Sequence, residues 1–305
     1  MDDLLRQTEE LTINQPRLVS YHEERILEVL DGQLNDARYE TWSGWETLIR
    51  PMIEDFCRQW TLPTRAVENF MALTKGNPHF PVILLRNPVK DHDAAGFEDM
   101  VNNCPTLRWL EDVLHARGLL LDDVVILDVC PLLSDFWLAR NKHIAEEAIR
   151  DAYLVTETIL LLLKPKLLIS CQCATKGVGD FGLYASSFVE RLGSTTSNAK
   201  QKLVMPFRHE GNEIYIAQAY HPRYFLGREC LDGDEREDLL KEIIGHFMAP
   251  FGKWKADVVR LLHMEAVILK LAKVMNEQRV IMNRMLKFMY KLEESFASMT
   301  ISRPS

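Results

Sequence analysis

The sequence predicts an α/β fold with three layers, α/β/α, a mostly parallel central sheet, additional N-terminal helices and a long C-terminal helix. Three observations lead to this fold class. Short apolar runs alternate with amphipathic helical patterns between residues 76 and 252, which is typical of a parallel sheet covered on both faces. Residues 1–75 show only helical spacing of apolar side chains. Residues 253–305 carry a heptad-like apolar stripe.

The N-terminal segment, residues 1–75, contains two helical patterns. They are YHEERILEVL and WETLIRPMIEDFCRQW, which both place apolar residues on one helical face. The pattern breaks at Gly76-Asn77-Pro78. We expect these helices to pack on the core of the domain that follows.

Five short runs in the central segment have the composition of strands. They are PVILLR, DVVILDVC, KLLIS, KLVMPF and EIYIAQAY, with a turn at Gly211 between the last two. A helix that stops at Gly118 follows the first run, and a longer helix over roughly 143–163 follows the second. Parallel sheets of this kind place their sites in loops at the carboxyl ends of the strands, so those loops are where we look for chemistry.

The last segment carries side chains at alternating spacings of three and four, and nine of ten are apolar. These ten positions, called the C-terminal stripe below, are Leu261, Met264, Ile268, Leu271, Met275, Gln278, Met282, Met285, Met289 and Leu292. The stripe predicts one long helix or a helical hairpin over 255–298, buried against the body or a second copy. A helix laid on the domain surface is one interpretation. A methionine-rich helix for dimerisation or partner binding is the other.

Charge and cysteine content restrict the class of protein. The 305 residues include 36 Lys and Arg against 44 Asp and Glu, a net charge of −8. Residues 253–305 hold 10 basic and 5 acidic residues, so the remaining body carries −13, which argues against a DNA-coating protein. The six cysteines show no disulfide-framework or CxxC spacing, and the N-terminus is acidic and polar. We therefore expect an intracellular protein, nuclear or cytoplasmic and not secreted, with reduced thiols and no membrane segment.

Three strand ends resemble motifs of the uracil-DNA glycosylase superfamily, over roughly residues 81–228. The first motif of the family corresponds to PVILLRNPVKD in this chain. The strand that ends in a base-reading Asn in the family corresponds to VVILDVCPLL, and the His-Pro motif corresponds to AYHPRYFLGR. A KPKLLIS strand after a long helix is also characteristic of the family. The resemblance implies a four-stranded parallel sheet flanked by helices over 76–252. It also implies a uracil-DNA glycosylase-like hydrolase that cleaves the N-glycosidic bond of an extruded base in DNA, as in base-excision repair.

Such chemistry sets clear demands on a site. Bond cleavage develops positive charge on the sugar and negative charge on the base, so it needs a donor for the base oxyanion. It also needs a carboxylate or an oriented water at the sugar and an aromatic side chain stacked on the base. The resemblance assigns the donor to His221, for which a capping or packing role is the alternative. Phe97 lies where the family has its stacking aromatic, and core packing accounts for it equally well.

The first motif departs from the family's pattern. The family has a Gln-Asp-Pro or Glu-Ala-Pro type of sequence directly after the strand, whereas this chain has Arg86-Asn87-Pro88. The proline is shifted by one residue, and no acid precedes it. The resemblance leaves two candidates for the missing function: Asn87 orients a water, or Asp91 swings into place. A solvated loop acid is the alternative for Asp91.

Asp128 stands where the family has its base-reading Asn. An ionised carboxylate has only acceptors, so it disfavours O4 of uracil and suits the N4 amino group of cytosine. Uracil is accepted only if Asp128 is protonated, and burial at a strand end favours protonation. A role in capping a neighbouring loop is the alternative.

The His-Pro loop of the family contacts DNA and carries an apolar wedge. The residues that the resemblance assigns to DNA contact are Arg86, Arg223, Tyr224, Phe225, Leu226 and Arg228. Apolar insertion beside phosphate-binding arginines is a known way to distort a duplex. Anchoring of Phe225 and Leu226 in the core is the alternative.

Three functions are consistent with these residues. The first is a DNA N-glycosylase-type enzyme, with DNA or another nucleobase-containing ligand as its partner. The second is a catalytically degenerate glycosylase fold that acts as a binding or scaffold module, which the missing acid and the acidic body favour. The third is a hydrolase of a free nucleoside or nucleotide. The sequence has no GxxxxGK[ST], HExxH or GxSxG motif. The glycines of TKGVGDFG have the GxGxxG spacing, but we interpret this segment as a flexible loop, so we predict no cofactor and no metal.

Overall fold

The computed structural model describes residues 17–38, 44–88, 96–171, 187–226 and 233–301. The chain divides into two compact units, Met1–Lys255 and Ala256–Ser305. The first unit contains a six-stranded sheet with helices on both faces. The predicted α/β fold class is confirmed.

The sheet is mixed and mostly parallel. Its strands are β1 (Val19–Ser20), β2 (Val82–Leu85), β3 (Ile126–Asp128), β4 (Leu167–Ser170), β5 (Leu203–His209) and β6 (Asn212–Gln218). The spatial order is β1-β5-β6-β4-β2-β3. Strands β6, β4, β2 and β3 run parallel, whereas β5 pairs antiparallel with both β1 and β6. All five predicted strands are present, and the two-residue strand β1 was not predicted.

The helices agree with the predicted alternation. They are α1 (Glu24–Asp36), α2 (Arg50–Gln59), α3 (Thr64–Thr74), α4 (Phe97–Asn103), α5 (Pro105–His115), α6 (Asp135–Arg140), α7 (Ala145–Leu163), α8 (Ser187–Arg191), α9 (Thr196–Lys200), α10 (Arg223–Leu226) and α11 (Gly233–Ile301). A π-helical turn, Trp45–Ile49, precedes α2, and a 3-10 turn, Leu121–Asp123, precedes β3.

Two hydrophobic cores lie on opposite faces of the sheet. Side chains alternate along a strand, so Val82 and Leu84 enter the first core and Ile83 and Leu85 enter the second. Helices α2, α3 and α7 cover the first core. Helices α1, α4, α5 and the first part of α11 cover the second. Burial on both faces explains why these strands appear in the sequence as continuous apolar runs.

The β5–β6 hairpin closes at the predicted turn. Gly211 has a φ of +79°, a left-handed conformation that glycine adopts without a steric penalty. The hairpin places β6 beside β4, where Leu167 and Tyr215 are in register. This pairing brings the end of β6, and the His-Pro sequence after it, to the same edge of the sheet as the ends of the other parallel strands.

Helix α11 is continuous from Gly233 to Ile301, so the alternative of a helical hairpin is wrong. In the first unit its side chains Phe247, Met248 and Phe251 are fully buried. In the second unit the apolar residues of the C-terminal stripe are exposed, with exposed surface fractions from 43% at Leu292 to 69% at Met275. None of the helices in the described ranges is long and apolar enough to cross a membrane.

Candidate functional site

Loops that follow three of the four parallel strands meet at the carboxyl edge of the sheet. Asn87 follows β2, Asp135 begins α6 after β3, and Arg223 begins α10 after β6. Asn87 Nδ2 donates a hydrogen bond to Asp135 Oδ1 at 3.0 Å. Arg223 Nη1 lies 3.9 Å from Asp135 Oδ2. Asp135 therefore joins the loop of the first motif to the His-Pro loop.

Asn87 is held in a defined orientation. Its side chain is buried, and Nδ2 also donates to the Pro88 carbonyl oxygen at 3.0 Å and approaches the Leu133 carbonyl oxygen at 3.5 Å. The amide nitrogen is thus fully engaged. The amide oxygen Oδ1 is the acceptor of the same side chain, and an acceptor held in a fixed orientation can orient a water.

Asp135 is the site residue that the sequence reasoning missed. The hydroxyl of Ser134 accepts a hydrogen bond from the Trp137 backbone N–H at 2.9 Å and caps α6. An acid directly after such a cap is what helix starts favour in general, so nothing in the sequence indicates a further role. The only signal is tertiary, because Asn87 contacts it from 48 residues away.

His221 follows β6 and is held as a neutral hydrogen-bond donor. Its Nδ1 accepts a hydrogen bond from the Arg223 backbone N–H at 3.1 Å, which places the ring proton on Nε2. Burial lowers the pKa of His221 to about 4, and the positive charges of Arg223 and Arg86 act in the same direction. At neutral pH the ring is therefore uncharged and offers an Nε2–H.

Asp128 is the last residue of β3 and pairs in register with Leu85. Strand alternation places it on the face of the second core. Burial raises the pKa of Asp128 to about 7. No hydrogen bond or ion pair from the described residues reaches its carboxyl group. Burial raises the pKa of the Cys104 thiol, and the charge of Asp128 raises it further. Asp128 therefore lies near Cys104, at the junction of α4 and α5.

The aromatic candidates are partly accounted for by packing. Phe97, the first residue of α4, is half-buried against the second core. Phe225 packs its ring 5.0 Å from that of Trp109. The guanidinium of Arg236 lies 5.7 Å from the ring centre of Tyr224. Leu226, with 39% of its surface exposed, is therefore the wedge candidate that packing does not explain.

The structure thus brings Arg86, Asn87, Arg223 and His221 together. Asp128 ends β3, the strand next to β2. Arg86 is half-buried next to Asn87, and its charge acts on His221. Asp91 and Arg228 lie outside the described residues. Within the described ranges, no group of three or more His, Cys, Asp or Glu side chains is arranged to hold a metal ion.

A second concavity lies next to the His-Pro loop. It has a volume of about 260 Å³ and is lined by α9, Tyr220 and the start of α11. Its charged side chains contact each other or neighbouring rings: Lys200 pairs with Glu235 at 3.3 Å, and Arg236 lies over Tyr224. These charges are matched internally, so we do not assign a ligand to this concavity.

No family model matches the chain, and a search of the curated proteins likewise finds no match.

Proposed function

We propose that this protein is a uracil-DNA glycosylase-like enzyme that cleaves the N-glycosidic bond of an extruded base in DNA. The observation that carries the proposal is the state of His221. A neutral histidine with a fixed Nε2–H, flanked by two arginines at the carboxyl edge of a parallel sheet, is suited to stabilise an anionic leaving group.

On the base side, the C1′–N bond breaks and its electron pair leaves on the base. The Nε2–H of His221 donates to the oxyanion that develops there. Arg86 and Arg223, whose charges already act on the ring of His221, add electrostatic stabilisation of the negative charge. This stabilisation is needed only as the bond breaks, so it lowers the barrier rather than strengthening substrate binding.

On the sugar side, Asn87 and Asp135 supply what the first motif lacks. Asn87 Oδ1 orients a water whose oxygen bonds to C1′. The Asp135 carboxylate, held by Asn87 at 3.0 Å, takes the proton that this water releases and stabilises the positive sugar. An acid from the second loop thereby replaces the acid that the family places before the proline.

Asp128 sets which base is accepted. With a pKa of about 7, its carboxyl group is partly protonated at neutral pH. The protonated form is a donor that tolerates O4 of uracil, and the ionised form is an acceptor that suits the amino group of cytosine. The proposed substrate preference therefore depends on pH.

The test is release of an abasic product from oligonucleotides that contain uracil, cytosine or a deaminated purine, in single strands and duplexes. His221→Ala should lower the rate by a factor of about 100 or more, the usual loss for one oxyanion donor. Asp135→Asn should lower it as well, because a general base contributes roughly 100-fold or more.

The matched control is His115→Ala. His115 is exposed at the end of α5, before β3 and hence at the amino edge of the sheet, so its loss should leave the rate unchanged. No abasic product from any of these substrates would remove the proposal.

A catalytically degenerate binding module is the second candidate. The observations in its favour are the engaged amide nitrogen of Asn87 and the −13 charge of residues 1–252. It predicts equilibrium binding of a base-containing ligand with no turnover, and the same binding in His221→Ala.

A further inference from the structure

The C-terminal stripe of α11 is an exposed surface with nine apolar residues and one polar residue, Gln278. Its neighbours in sequence widen it, because Val267, Val274, Ile281 and Phe288 expose 42%, 49%, 56% and 63% of their surfaces. The stripe runs from Leu261 to Leu292, about 48 Å of helix at 1.5 Å per residue. An apolar surface of this extent marks an interaction site.

We propose that this stripe pairs with the same stripe of a second copy of the chain, as a parallel, in-register, two-stranded coiled coil. The proposal is independent of the glycosylase assignment. It rests on the period of the stripe, on its single polar position and on the charges beside it.

The period favours a helical partner over a flat surface. The stripe alternates spacings of three and four without interruption from Leu261 to Leu292, a repeat of 3.5 residues. A straight helix has 3.6 residues per turn, so such a stripe drifts by about 20° per heptad, or about 80° between Leu261 and Met289. A membrane surface would lose contact with it over that length. A second supercoiling helix keeps contact throughout.

Gln278 favours parallel, in-register pairing. The stripe residues occupy positions a and d of the heptads, and Gln278 is at a central d position. In register, it meets Gln278 of the second copy, and the two amides can hydrogen-bond. Antiparallel pairing about the middle of the stripe would instead place it against Met275 and leave a buried amide unpaired, which is costly. A single polar residue in such a core fixes the register.

The flanking charges favour the same orientation. Arg260 occupies a g position and Glu265 the following e position. In a parallel pair these positions face each other across the interface, so each helix offers Arg260 to Glu265 of the other. Antiparallel pairing would place Glu265 opposite Leu286. Arg260 pairs with the exposed Asp257 at 3.4 Å, a weak surface pair that leaves Arg260 able to reorient.

The first experiment measures the mass of the full-length protein by size-exclusion chromatography with light scattering. The wild type should be a dimer. Leu271→Glu with Met282→Glu should give a monomer, because both charges would enter the apolar seam. Ala266→Glu with Val280→Glu, which adds the same charges on the opposite face, should stay dimeric. A monomeric wild type, or a control pair that dissociates equally, would overturn the proposal.

The second experiment measures orientation by oxidative cross-linking. Leu261→Cys should form a disulfide-linked dimer with itself, and the wild type under the same conditions gives the background from the native cysteines. Cross-linking only when Leu261→Cys is mixed with Leu292→Cys would show antiparallel pairing and refute the proposal. Flotation of a monomeric wild type with phosphatidylcholine–phosphatidylserine vesicles would identify a membrane as the occupant instead.

Discussion

Burial shifts the pKa values of His221 and Asp128 in opposite directions. Burial disfavours the charged form of any side chain, so it lowers the pKa of His221 to about 4 and raises that of Asp128 to about 7. Both groups consequently have a neutral form available near neutral pH. Two titratable groups at one sheet edge whose pKa values are shifted in opposite directions support the proposed acid–base site.

The Asp128→Asn variant tests the role of this carboxyl group. The pKa of Asp128 is about 7 in the fold against an ordinary value of 3.8, so the native state binds more protons between these values. The stability contribution is complete below 3.8 and is lost as pH rises through 7. Asn does not titrate, so its stability relative to wild type should rise with pH, by up to about 4 kcal/mol.

Urea unfolding at pH 5 and pH 8 measures about 3 kcal/mol of this change, because the remainder falls between pH 3.8 and pH 5. The same variant restores an amide donor and acceptor to the position, so base preference should also shift toward uracil. An equal stability difference at both pH values would show that Asp128 is ionised in the fold. The change is nearly isosteric, so a shift in specificity would not reflect collapse of the site.

The candidate site could be predicted from the sequence only for residues whose position follows from the local sequence pattern. His221, Asn87 and Asp128 each follow or end a predictable strand, so their positions at the carboxyl edge could be anticipated. Asp135 could not, because its role depends on a contact with Asn87 that forms only after the loops fold together. The sequence could not decide between a wedge role and a packing role for Phe225, because its contact with Trp109 forms only in the folded structure.

At the scale of elements, predictability depended on burial. The parallel strands were recognisable because both of their faces are buried. Strand β1 was not, since its two residues are defined only by antiparallel pairing of Val19 with Val204 and Ser20 with Leu203. Pro250 lies inside α11, which continues through it. Fully buried Phe247 and Phe251 on either side anchor the helix there, so packing offsets the lost hydrogen bond.

The Gly252→Ala variant tests the packing of this part of α11. A Cβ at Gly252 would lie 1.7 Å from the carbonyl oxygen of Arg117. The obstacle is backbone, which cannot move aside as a flexible side chain would. We expect destabilisation of at least about 1–3 kcal/mol, the usual cost of overpacking, measured by urea unfolding.

Gly32→Ala is the matched control. Gly32 lies in α1, and a Cβ added there would meet no described atom within 4 Å, so alanine should stabilise the protein by about 0.5–1 kcal/mol through its higher helix propensity. Equal stability of Gly252→Ala and wild type would mean that α11 and the turn after α5 are not in close contact in solution.

At the scale of the whole molecule, the arginines of the candidate site belong to a part of the chain with a large net negative charge. Residues 1–252 carry −13, and residues 253–305 carry +5. An acidic body repels the phosphate backbone. Under the proposed function, DNA would therefore be held locally, by the arginines at the carboxyl edge of the sheet, and long-range electrostatic attraction would contribute little to affinity.

This distribution predicts weak and only moderately salt-dependent binding of unmodified duplex DNA. Each phosphate contact adds about −0.9 to the slope of log K against log salt. Contacts from Arg86, Arg223 and Arg228 thus give a slope of about −3, far from the value near −10 that extensive phosphate contacts produce. Arg223→Ala should reduce the slope by about 1. Lys166→Ala, an exposed cation directly before β4 and so at the opposite edge, should leave it unchanged. Fluorescence anisotropy across a salt series measures both, and a steep slope that survives Arg223→Ala would place DNA on a different surface.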